Sequence, residues 1–195
     1  MQSAKNIIRL RMKEVREDYL KSLNEESRLQ LNQKVIKGVL DLITDTSHTL
    51  VAGFWPMCFE PDIRPVLEAV IRKGGKGLLP VSQKAGEPLI FRSWKPGDQL
   101  KESTFKTMEP LSLCPIHDPQ VIIVPLLAFD GRGHRLGQGA GHYDRTISYL
   151  HQKKKLPILT IGVSFEVQRV NELPMASYDQ RLDWIVTEEK AYKFI

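Results

Sequence analysis

The sequence predicts an α/β fold of three layers (α-β-α) with a largely parallel central sheet and the ligand site at the carboxyl ends of the strands. Three observations predict it. Short apolar runs alternate with helical stretches from position 49 onward. One run, residues 121–127, is continuous and rich in β-branched side chains, as befits a strand buried on both faces. A glycine-rich turn follows that run and opens a helix, an arrangement that gathers backbone N–H groups for an anion.

Taken in order, residues 4–20 read as an amphipathic helix. Ile8, Met12, Val15 and Tyr19 recur at helical spacing as one apolar stripe. Lys5, Arg9, Lys13 and Arg16 keep the same rhythm as a basic stripe beside it, within roughly 80° of arc. Asn24 or Ser22 caps a second helix with core positions Leu31, Val35, Val39, Leu40 and Ile43. Residues 49–55 predict a strand, 62–72 a helix, and 77–81 and 89–94 strands. Residues 95–120, rich in Pro, Ser and Thr, read mostly as loop. After the buried strand come a helix over 141–152, a strand over 158–164 and a last strand over 183–187.

At 195 residues, 42% of them apolar, the chain suits one domain over 1–195, and the apolar content excludes disorder. Cys58 and Cys114 stand far apart with no CxxC, which supports neither a disulfide framework nor a cysteine zinc site. No run of residues is apolar enough for a membrane span. The basic N-terminal stretch contains Glu14, Glu17 and Asp18, unlike acid-poor presequences, so a cytoplasmic location is expected.

The net charge of +5 is unevenly placed. Residues 1–40 carry +4 and residues 131–155 carry +5, while the two remaining segments carry −2 each. This suggests an anionic ligand, although a solvated basic face and a lysine-rich turn, Lys153-Lys154-Lys155, would give the same count.

The segment that carries chemistry is VIIVPLLAFDGRGHRLGQGAGHYDR, residues 121–145. Gly137, Gly139 and Gly141 alternate, letting a backbone approach phosphate without Cβ atoms in the way. Arg135 precedes them as a fork for phosphate oxygens, and Asp144 follows as a hard oxygen ligand for Mg²⁺. The spacing is neither Walker A nor the Rossmann GxGxxG, and a turn for tight strand–helix packing would also use such glycines. His48, His117 and His151 are scattered, and His134 reads as solvent-exposed more readily than as a ligand.

RLGQGAGHYDR resembles the signature of the 5-formyltetrahydrofolate cyclo-ligase family, R-L-G-x-G-x-G-Y/F-Y-D. Lys5 and Arg9, Trp55 and Glu60, Glu109-Pro110, Phe129-Asp130-x-x-Gly133, Tyr178-Asp179 and Leu182-Asp183 fall in the family's order along essentially the whole chain. The resemblance implies an ATP- and Mg²⁺-dependent ligase that cyclises 5-formyltetrahydrofolate to 5,10-methenyltetrahydrofolate, releasing ADP and phosphate. It implies ATP binding by Lys5, Arg9, Arg135, Leu136, Gly137, Gln138, Gly139, Ala140, Gly141, His142 and Tyr143, with Arg135 and Tyr143 catalytic. It implies folate contacts from Trp55, Glu60 and residues Gln138, Gly139, Ala140, Gly141 and His142, and Mg²⁺ binding by Asp144 and Asp179. The implied partners are small molecules, with neither nucleic acid nor membrane, on a monomer.

Two positions depart from the family pattern. Many members carry Lys where Ala140 stands, while others have a small residue there, and Tyr or Phe is usual where His142 stands. A nucleic-acid module built on the same basic patch is a second hypothesis, but the motif lacks interleaved aromatics. A relative that keeps the nucleotide site and acts on another substrate is a third.

Overall fold

The computed structural model describes residues 2–153 and 157–195. Lys154 and Lys155 of the expected lysine-rich turn lie outside the described residues. α1 (Gln2–Ser22) and α2 (Glu25–Leu42) open the chain. Asn24, not Ser22, caps α2, its side-chain oxygen accepting the Ser27 amide at 2.8 Å. Then come β1 (Leu50–Ala52), α3 (Arg64–Arg72), β2 (Lys76–Val81) and β3 (Ile90–Trp94). Two short ribbons follow: β4 (Leu100–Glu102) with β5 (Met108–Pro110), and β7 (Ala128–Phe129) with β8 (Arg135–Leu136). Between and after them lie β6 (Val121–Pro125), α4 (His142–Lys153), β9 (Leu159–Val163), β10 (Trp184–Val186) and β11 (Ala191–Lys193).

The main sheet runs β11-β10-β9-β6-β1-β2-β3. Its five inner strands are parallel, and the two edge strands β3 and β11 are antiparallel to their neighbours. Alternate side chains divide between two cores. Val121 and Ile123 pack with Val35 and Val39 of α2 and Val66, Leu67 and Val70 of α3. Ile122 and Val124 pack with Ile147 and Leu150 of α4 on the other face. The sheet is therefore the middle of three layers, and β6 is apolar at every position because neither face meets water.

Three expectations need correction. The strands expected over 49–55 and 121–127 end at Ala52 and Pro125, because Phe54, Trp55, Leu126 and Leu127 leave the ladder to line a cavity. The stretch 95–120 holds the β4–β5 ribbon, whose strands are three residues long and too exposed for β4 to alternate. The strand expected last is followed by β11, which closes the edge through its pairing with β10. No helix among the described residues is long and apolar enough to cross a membrane.

Candidate active site

A cavity of about 360 Å³ opens where β1 and β6 end. β2 lies on one side of β1 and β6 on the other, so the connections leave toward opposite directions and a crevice remains at the carboxyl ends. Every residue singled out from the sequence for ATP, folate or metal lines this cavity: Lys5, Arg9, Trp55, Glu60, residues 135–144 and Asp179.

The β7–β8 turn delivers the glycine loop. Asp130, fully buried, accepts the amides of Arg132 at 2.9 Å, His134 at 3.2 Å and Leu173 at 3.1 Å. Burial pushes its carboxyl up, but these bonds outweigh burial and hold it below the ordinary aspartate range. His134 is a half-buried partner in this turn, its Nδ1 lying 3.1 Å from Asp130, which corrects the expected solvent exposure. Within the loop, Gly139 (φ +109°) and Gly141 (φ +67°) adopt the left-handed region. A Cβ on Gly139 would sit 3.3 Å from the Arg9 guanidinium carbon, so that glycine also admits the first helix. Arg9 Nε donates to the Gly137 carbonyl at 2.9 Å, and Arg145 Nη2 donates to the Ala140 carbonyl at 2.7 Å.

The basic stripe of α1 does not stand beside the buried face; two of its members form that face. Lys5 and Arg16 are buried with Met12 and Leu20, while Ile8, Val15 and Tyr19 are half-buried and Lys13 is exposed. The reason is what lies beneath the helix. Lys5 Nζ pairs with Asp179, Arg9 reaches Gly137, and Arg16 faces the Cys58 carbonyl and Glu60.

Arg135 is similarly engaged. Nη2 donates to Asp144 Oδ1 at 2.8 Å and Nη1 donates to the Gln180 carbonyl. Burial pulls its pKa below the ordinary value, opposed by the charge of Asp144 and by their hydrogen bond. Asp144 also accepts the Gln180 amide at 3.0 Å, and Asp179 accepts the Ala176 amide at 2.7 Å. The cavity thus carries two cation–carboxylate pairs side by side. Among the described residues no three His, Cys, Asp or Glu side chains gather as a metal cage. Asp144 and Asp179 nevertheless suit Mg²⁺, which usually takes one or two carboxylates together with phosphate oxygens and water.

The rest of the lining includes aromatic and apolar side chains. Trp55 meets the Trp94 ring edge-on at 6.3 Å and lies under the Arg64 guanidinium at 4.7 Å. Glu60 Oε2 accepts the Met57 amide at 3.0 Å. Burial raises the Glu60 pKa, while that amide, Arg16, Gln138 and Lys13 pull it back. Burial also raises the Tyr143 hydroxyl, with the Glu60 charge adding to the effect. His142 stacks edge-on against Phe105 at 4.9 Å, and its pKa is lowered by burial and Arg145, against Glu109.

Sequence reading missed the β4–β5 hairpin as a wall of the cavity. Phe105, Thr107, Met108 and Glu109 line it, and Glu109, buried, accepts the Ser82 amide at 2.9 Å. The signals available were Glu109-Pro110, which falls in the family's order, and Phe105, an aromatic isolated in a polar stretch.

Comparisons with known proteins agree with the family resemblance of the sequence. A model of the 5-formyltetrahydrofolate cyclo-ligase family matches residues 1–188. The 5-formyltetrahydrofolate cyclo-ligase of Escherichia coli (strain K12) is 30% identical over 180 residues, covering 89% of this chain and 97% of that protein. The enzyme of the same description from Mycolicibacterium smegmatis is 30% identical over 165 residues, covering 80% and 82%. The NMR structure of Aquifex aeolicus 5,10-methenyltetrahydrofolate synthetase superposes with a TM-score of 0.75 at 29% identity, covering 98% of this chain and 93% of that one. A Mycoplasma pneumoniae 5,10-methenyltetrahydrofolate synthetase shares the fold, with a TM-score of 0.69 at 20% identity over 95% and 99%.

Proposed function

Because the chain belongs to the 5-formyltetrahydrofolate cyclo-ligase family, we propose that its cavity holds ATP and 5-formyltetrahydrofolate side by side, with the glycine loop between them. The enzyme is an ATP-dependent ligase that cyclises 5-formyltetrahydrofolate to 5,10-methenyltetrahydrofolate and releases ADP and phosphate. The observation that carries the residue placement is that one cavity is lined both by cations and backbone donors and by aromatic and apolar side chains.

The chemistry requires both kinds of lining. A formyl group on nitrogen is amide-like, and its oxygen leaves poorly. Phosphoryl transfer from ATP makes that oxygen part of an imidate phosphate; nitrogen-10 then attacks the carbon, closes the ring and expels phosphate. The protein's part is alignment and charge stabilisation. Lys5 and Arg9 bind phosphate oxygens from α1, and residues 136–142 offer backbone and side-chain groups around the triphosphate and the folate. Arg135 and Tyr143 face the transferring phosphoryl, Arg135 as a fixed cation and Tyr143 as a hydroxyl that stays protonated and donates. Asp144 and Asp179 hold Mg²⁺, which supplies counter-charge to the phosphates when bound. Trp55 packs on the flat folate ring and Glu60 accepts its N–H groups. One domain over 1–195 does this as a cytoplasmic monomer, needing neither nucleic acid nor membrane.

The test mixes protein, 5-formyltetrahydrofolate, ATP and Mg²⁺ and follows methenyl product and ADP. Product that forms with ADP and stops when ATP is omitted supports the reading. No product at micromolar enzyme overturns it.

A further inference from the structure

Arg16 takes no part in the proposed chemistry, yet among the described residues it is a buried cation with partnerless nitrogens. Its side chain is 6% exposed, and its Nε and Nη1 are buried without a hydrogen-bond partner. Nη2 reaches the Cys58 carbonyl at 3.5 Å, and Nη1 lies 3.8 Å from Glu60 Oε1, an ion pair too long for a hydrogen bond. Arg16 does not line the cavity, so it does not itself meet a ligand there.

What it holds is a strained turn. Residues 57–60 fold back so that the Glu60 amide donates to the Met57 carbonyl at 3.0 Å while the Glu60 carboxylate accepts the Met57 amide at 3.0 Å. Phe59 sits at φ +65°, in the left-handed region that a bulky side chain rarely adopts. Such a conformation persists only where its surroundings over-determine it, and it clusters at functional sites. Two basic side chains of α1 supply surroundings here: Arg16 under Cys58 and Glu60, and Lys21, whose ammonium lies 5.9 Å from the centre of the Phe59 ring.

We propose that Arg16 is a positioning residue for folate binding, acting through Glu60: it clamps the turn from behind and keeps the buried carboxylate aimed into the cavity. This rests on the placement of the folate ring against Glu60 made above. A purely space-filling role would be served as well by an apolar side chain, without burying partnerless N–H groups. The groups facing Glu60 are Arg16 and Lys13 of α1, the Met57 amide of its own turn, Gln138 of the glycine loop and Tyr143 of α4. Of these, Arg16 supplies a buried positive charge; Lys13 is exposed. Without Arg16, desolvation is opposed mainly by the Met57 amide and Gln138, so Glu60 takes up its proton at higher pH.

The experiment measures kcat and KM for 5-formyltetrahydrofolate against pH at saturating ATP and Mg²⁺, with folding checked by thermal melting. Arg16→Met is expected to raise KM about tenfold or more, to change kcat by less than about threefold, and to move the acid limb of kcat/KM upward by about one pH unit. Arg16→Lys restores both toward wild type. In Glu60→Gln the limb disappears, and adding Arg16→Met to it brings no further shift. If Arg16→Met does not fold, Arg16→Gln, which keeps hydrogen-bonding groups but no charge, stands in its place. An unmoved limb in the charge-removing variant, with the limb abolished by Glu60→Gln, overturns the role of Arg16 and leaves the folate placement standing. An unchanged KM and limb in Glu60→Gln overturn the placement itself, and the inference with it.

Discussion

Arg135 and Asp144, nine positions apart at the two ends of the glycine loop, are joined at 2.8 Å, so the loop is closed by an ion pair across its own base. Arg135 is almost wholly enclosed, its side chain 4% exposed, and its second donor is spent on the Gln180 carbonyl. It is thus a fixed charge within the wall, more rigid than the free fork that the sequence suggested.

Breaking that pair should therefore harm both folding and chemistry. Removing one partner of a buried pair costs about 3–5 kcal/mol, because the other is left uncompensated. Arg135→Ala is expected to lower the melting temperature and cut turnover at least about 100-fold, the scale of losing a charge-stabilising contact. Asp144→Asn keeps the shape but leaves the enclosed Arg135 without its counter-charge, so it should lose a similar factor in turnover and also melt lower. Melting curves and steady-state rates check both, and near-normal rates in the two variants would refute the phosphate placement.

Ala140 bears on rate alone. Its carbonyl is held by Arg145 at 2.7 Å and its side chain is exposed on the cavity rim, so a longer side chain has room. Ala140→Lys restores the cation that many family members carry there and is expected to raise turnover. A rate at saturating ATP that stays the same or falls would show that this chain needs no cation at the position.

The three loop glycines should differ sharply. Gly139→Ala and Gly141→Ala place a side chain at positive φ, and their added Cβ atoms would lie 3.3 Å from the Arg9 Cζ and 2.7 Å from an Arg145 nitrogen. Each is expected to lose about 1–3 kcal/mol of stability, with ATP KM raised about tenfold or more. Gly137 has ordinary φ and open space around its Cβ direction, so Gly137→Ala should melt close to wild type. Equal melting temperatures for all three would contradict the loop geometry described here.

His142 predicts a pH dependence. Burial and Arg145 lower its pKa, so the folded protein resists protonating it and the unfolded chain does not. No penalty is present well above about 6.5, the ordinary histidine value. As pH falls below that value the folded state loses stability, until pH passes the lowered folded pKa. His142→Phe removes the titration, so its melting-temperature advantage over wild type should widen between pH 8 and pH 5. A constant difference across that range would exclude the effect.

Much of this was legible in the sequence because it was periodic or dense. β6 advertised itself by unbroken apolar β-branched residues, and the glycine loop by three alternating glycines between Arg135 and Asp144. The pairings were not legible. Lys5 and Arg16 read as a basic stripe beside the buried face, because nothing local to α1 reveals Asp179 or Glu60 waiting beneath it. Phe105 joined the cavity through a ribbon whose strands are three residues long, below the length at which alternation can be read. His134 looked exposed because its partner Asp130 is fixed by backbone amides, which one-letter codes do not display.

The reach of α1 has a consequence for the order in which this molecule matures. Lys5 meets Asp179 across 174 positions, and Arg9 meets Gly137 across 128. α1 emerges in synthesis well before either of these partners, so it must wait for them, and its closing contacts carry the entropy of very long loops. Until then Met12 and Leu20 lack their cover, and the cavity is missing Lys5 and Arg9 from its lining. On the proposed placement of ATP, its phosphates find Lys5 and Arg9 only once α1 has docked, and a nucleotide that binds only the docked form favours that docking by mass action.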